Sequence, residues 1–116
     1  MPRKRARSEV DPETASRILA TVPPPEAFLF FTDIEKYTGE FALCLSDFCE
    51  KLKTIPLESI QFHFGRRDFE RWIKETLGDE YLAKRITRIK STRTKELRKK
   101  IERVVKRRLN QLKQLA

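Results

Sequence analysis

From Ser91 to Ala116 the chain has neither glycine nor proline, and its apolar residues fall at Leu97, Ile101, Val104, Val105, Leu109, Leu112 and Leu115. That spacing of threes and fours predicts an amphipathic helix with one face to bury. At about 100° per residue, Lys99, Lys100, Arg103, Lys106, Arg107 and Lys113 gather on the opposite face, with Lys95 beside them. One side needs a core and the other needs anions. Arg108 falls inside the apolar stripe, which spoils a coiled-coil seam and predicts that this side chain snorkels or meets a partner.

The charge is segregated along the chain. Residues 85–116 hold thirteen of the 26 Lys and Arg side chains against two acids, Glu96 and Glu102, whereas the other 84 residues hold thirteen bases and fifteen acids. Four of those thirteen bases, Arg3, Lys4, Arg5 and Arg7, lie in the first seven residues. The net charge of +9 is therefore an average over a mildly acidic body and two cationic ends. So few acids leave the C-terminal helix little internal pairing, and a polyanion is the natural counter-charge. Solubility alone needs no such segregation.

A chain of 116 residues has room for one modest core plus extensions. No apolar run reaches the length of a membrane span, and the opening MPRKRARSEVDPE lacks the apolar stretch of a secretory signal, so a cytoplasmic location is expected. Cys44 and Cys49 lie five apart in a helical pattern, about 140° around the axis from each other, and read as small hydrophobes rather than a disulfide or metal pair. With a single histidine, a zinc site is also short of ligands. One Asn, three Gln and 37% charged residues give a thermophile-like balance.

Taken in order, Pro2 to Arg7 is a flexible basic arm, expected to order on a polyanion. Asp11, Pro12 and Glu13 start a helix with Ile18, Leu19 and Val22 on its apolar side, and Pro23-Pro24-Pro25 ends it as a stiff spacer separating it from the body. The burst EAFLFFTD, residues 26–33, reads equally as a short strand or a buried helical turn. A strand would need a partner, and the alternating stretch Ser59 to Phe64 offers one, although a helix opened by Pro56 and closed by Gly65 is the preferred reading there. Phe41, Leu45, Phe48, Cys49 and Leu52 predict a helix between Thr38 and Thr54. Asp68 caps or opens the next, with Phe69, Trp72, Ile73 and Leu77 inward and Gly78 after it. Asp79 caps a further helix, which either stops near Ser91 to Thr94 or runs on into the basic one.

The middle of the chain carries a resemblance. Gly39, Ala42, Leu45 and Phe48 at steps of three, Ser59 with Phe62-His63, RDFERWI from Arg67 to Ile73, and LGDEYLA from Leu77 to Ala83 resemble a family of small uncharacterised archaeal domains of unknown function. The similarity runs from about Phe28 to Ile86 and leaves out both cationic ends. It implies a compact helical module reused with different flanks, with specificity in the flanks and no activity to transfer.

His63 stands near Arg66, Arg67 and Asp68, the minimum for acid-base work, but no nucleophile motif, phosphate loop or carboxylate cluster accompanies it. It reads as a structural histidine hydrogen-bonded between two helices. Arg66 and Arg67 either extend a basic surface or pair with neighbouring acids. The basic C-terminal segment has no aromatic residue, so contacts to phosphate and shape are expected in place of base stacking.

The expectation is an all-α fold: a small helical bundle at 26–90, a long basic helix at 91–116, and an arm, short helix and proline spacer at 1–25. The expected partner is RNA, ribosomal RNA first, with neighbouring ribosomal proteins and without membrane, cofactor, metal, small-molecule substrate or enzymatic role. The residues expected to contact it are Arg3, Lys4, Arg5, Arg7, Arg93, Lys95, Lys99, Lys100, Arg103, Lys106, Arg107 and Lys113. Two other readings are a DNA-binding or chromatin-associated helical protein and a protein-interaction module for an acidic partner.

Overall fold

The computed structural model describes residues 8–90 and 92–116. In chain order the elements are α1 (Pro12–Leu19), β1 (Phe28–Asp33), β2 (Lys36–Ala42), α2 (Leu45–Thr54), α3 (Leu57–Arg66), α4 (Asp68–Trp72, continuing as a π-helical turn Ile73–Leu77), α5 (Glu80–Thr87) and α6 (Thr94–Leu115). The fold is mostly helical but mixed, and the all-α expectation is corrected by an antiparallel hairpin of β1 and β2.

Periodicity misled at one place. Phe41 continues the apolar spacing of α2 backwards by four residues, so the helix was expected to begin near Thr38, yet Lys36 to Ala42 is a strand paired with β1. The turn at Ile34-Glu35 places Glu35 at φ 63°, and Gly39 sits at φ +88°, a conformation that interrupts a helix. Register shifts between Leu29 and Phe31 leave extra residues on β2, and Thr38 Oγ1 donates to the Phe30 carbonyl at 2.6 Å across that irregularity. Helix α2 starts only after Cys44, whose Sγ accepts from the Asp47 amide at 3.4 Å. Both cysteines are free.

The proline run does not separate α1 from the body. Pro24 to Glu26 forms a single 3₁₀ turn, and Trp72 Nε1 donates to the Glu26 carbonyl at 2.8 Å, tying that corner to α4. Ala15 and Ile18 of α1 are buried, with α1 against α2 and α6.

Helices α2 and α3 form the middle layer, touching the hairpin on one side and α6 on the other. Phe28 and Phe30 from β1, Phe48 from α2, and Phe69 and Trp72 from α4 meet on the hairpin side, with Phe28 and Phe48 rings 5.5 Å apart. On the other side, Leu97, Ile101, Val105, Leu109 and Leu112 of α6 are buried. Each such side chain contributes about 1.5–3 kcal/mol on burial. Helix α5 ends at Thr87 and α6 begins at Thr94, so the two are separate helices, and α6, ~33 Å long at 1.5 Å per residue, lies along the body.

Candidate nucleic-acid interface

Burying the apolar stripe of α6 fixes which way its cations face. Arg93, at its N-cap, and Lys95, Lys99, Lys100, Arg103, Lys106, Arg107 and Lys113 are all exposed, as their spacing predicts. None of the eight forms an ion pair with an acid among the described residues. Like charges at i,i+4, such as Lys95, Lys99, Arg103 and Arg107, each disfavour the helix by about 0.2–0.5 kcal/mol, which the buried stripe offsets.

Two other cations of the same helix do internal work. Arg108, 2% exposed, donates from Nε and Nη2 to both carboxylate oxygens of Asp79 at 2.7 and 3.0 Å. Its Nη1 donates to Gln111 Oε1 at 2.7 Å and to the Ser8 carbonyl at 2.5 Å, and its guanidinium lies 4.7 Å from the centre of the Tyr81 ring. The expected partner of Arg108 is thus supplied within the chain. Arg98 donates to the carbonyls of Lys53 and Ile55, closing the C-terminal end of α2.

Arg3, Lys4, Arg5 and Arg7 lie outside the described residues. Ser8, the first described residue, is held against α6 by Arg108, which also bonds Gln111. Arg85 was not among the residues expected at the interface. The structure brings it from α5 into one crevice with Arg107, a juxtaposition that helical spacing within either segment could not reveal.

His63 is held on both sides. Its Nε2 accepts the Phe31 amide of β1 at 2.8 Å, which leaves the proton on Nδ1, 2.8 Å from Asp68 Oδ2. It therefore bridges α3 to Asp68 at the start of α4, as expected of a histidine between two helices, and ties both to strand β1 as well. Burial pushes its pKa down, partly opposed by the hydrogen bond and charge of Asp68. Asp68 also takes Arg66 at 3.2 Å and Arg71 at 3.5 Å, so its carboxylate clamps side chains rather than capping α4. A cavity of about 330 Å³ opens beside this group, walled by Phe31, Phe62 and Arg66, but neither nitrogen of His63 is free to move a proton there. No cluster of three His, Cys, Asp or Glu side chains among the described residues is placed to hold a metal ion, and no helix among them is long and apolar enough to cross a membrane.

The model of a family of unknown function, DUF5752, matches residues 25–116, and the chain belongs to that family. The match includes all of α6, so the basic helix is part of the family's domain and not one of its flanks, whereas the resemblance read in the sequence stopped near Ile86. No curated protein and no solved structure matches the chain.

Proposed function

We propose that this member of the DUF5752 family binds RNA, as a ribosomal or ribosome-associated protein, through the outer face of α6 and the basic N-terminal arm. The observation that carries this reading is the unneutralised row on α6: Lys95, Lys99, Lys100, Arg103, Lys106, Arg107 and Lys113 are exposed without an acid partner among the described residues. From Lys95 to Lys113 the row is ~27 Å long at 1.5 Å per residue, enough to follow several successive phosphates. With no aromatic on α6, it offers charge and a straight edge and no stacking platform, which favours contacts to backbone and shape. A double-helical DNA partner is less favoured, because the exposed part of the α4 segment alternates Arg71 and Lys74 with Glu75 and lacks the character of a recognition helix. A heat-adapted source belongs to the same reading on the charge-rich and amide-poor composition, and an archaeal one on the resemblance noted in the sequence.

The test is co-sedimentation of the native protein with ribosomal particles. It is expected to travel with them at low salt and to leave at high salt or after nuclease. Sedimentation as free protein, or an association that survives nuclease, would overturn the proposal.

A further inference from the structure

The crossing of α5 and α6 encloses a crevice of about 140 Å³ whose walls include Tyr81, Arg85, Arg107, Arg108 and Gln111. Its chemistry is one-sided. Arg108, in its wall, is already matched by acceptors: both oxygens of Asp79, the Gln111 side-chain oxygen and the Ser8 carbonyl. Among the side chains that line it, the guanidiniums of Arg85 and Arg107 and the Gln111 amide nitrogen are donors with no hydrogen bond or ion pair to another described residue, and the Tyr81 hydroxyl can donate as well. Because Arg108 and Asp79 neutralise each other, the local excess is two positive charges on two forked donors from different helices. The volume is that of about five liquid water molecules. This suits a compact tetrahedral anion that accepts from several directions, and guanidinium forks match phosphate oxygens.

We propose that this crevice is an anchoring site for one phosphate of the bound RNA strand, held between Arg85 and Arg107. The inference rests on the nucleic-acid reading above and makes it directional. A straight row of cations lets a phosphate backbone slide along it, whereas a phosphate gripped from two helices, where the N-terminal segment joins α6, fixes register.

The experiment compares three single substitutions by titrating a defined RNA hairpin over a range of salt concentrations, with circular dichroism to confirm folding. Arg85→Gln is expected to weaken binding about tenfold, as for loss of one charged hydrogen-bonded contact, and to lower the log–log salt slope by about 0.7–0.9. Lys84→Gln, the same charge change one residue away at a side chain 3.6 Å from Glu80, is expected to change affinity less than twofold. Arg85→Lys should restore the slope but not the whole affinity, since an ammonium cannot fork. Equal effects of Arg85→Gln and Lys84→Gln would overturn the anchoring site while leaving the α6 face intact as a binder. So would an inorganic phosphate titration in which the wild type binds and Arg85→Gln does not, if RNA affinity is the same for both, because the crevice would then take a free phosphate. Failure of the wild type to bind RNA at all would remove both readings together.

Discussion

Arg108 and His63 are the two buried groups on which single-residue arguments turn. The Arg108 and Asp79 side chains are each about 2% exposed, so removing one strands the other without solvent. Breaking a buried pair from one side typically costs about 3–5 kcal/mol, and Arg108→Met is expected to fall there in urea unfolding. Adding Asp79→Asn removes the stranded charge while keeping an acceptor for the Leu82 amide, and the double variant should be more stable than Arg108→Met alone. For His63 the sign follows from burial. Its folded pKa lies below the ordinary value near 6.5, so the unfolded chain takes up a proton that the folded chain refuses. Its contribution to stability is complete above about pH 6.5 and falls as the pH drops below that, by at most about 1.4 kcal/mol per pH unit. Unfolding curves between pH 7 and 5 should show this extra loss in the wild type and lack it in His63→Gln.

At the scale of elements, the hairpin is the part that the sequence hid. Helix α6 and its inward face were legible because 22 helical residues repeat one pattern without a glycine or proline, and α3, α4 and α5 were bounded by Pro56, Gly78 and Asp79. The strand β2 was not, because Phe41 stands four residues before Leu45 and mimics the next turn of α2, although it is 44% exposed on the hairpin's outer face. What decides between strand and helix there is local backbone geometry. Gly39 at φ +88° has nothing within 4 Å of where a Cβ would stand, so Gly39→Ala meets no clash and its cost is conformational, about 1–2 kcal/mol. Glu35→Gly, which relieves a left-handed non-glycine residue at the turn, should shift stability the other way by about 0.5 kcal/mol. Thermal unfolding of the two variants checks both signs.

Over the whole molecule, packing of α6 uses Arg98 and Arg108 internally and leaves the other cations of that helix exposed. The sequence placed the exposed row of α6 correctly because burial of the stripe dictates it, and it singled out Arg108 because a charge in an apolar stripe must be compensated. It could not say that Asp79 does so from 29 positions away, nor that Arg85 joins Arg107, because both facts depend on how α5 crosses α6. If the outer face of α6 meets phosphate, as proposed, RNA binding must depend on salt through that face. Wild type and a variant with Lys99, Lys100, Arg103, Lys106 and Arg107 replaced by Gln should have the same helical content. The variant's log–log salt slope is expected to be shallower by at least about 2, as for the loss of several phosphate contacts at about 0.7–0.9 each, with affinity falling accordingly. An unchanged slope and affinity in the folded variant would contradict it.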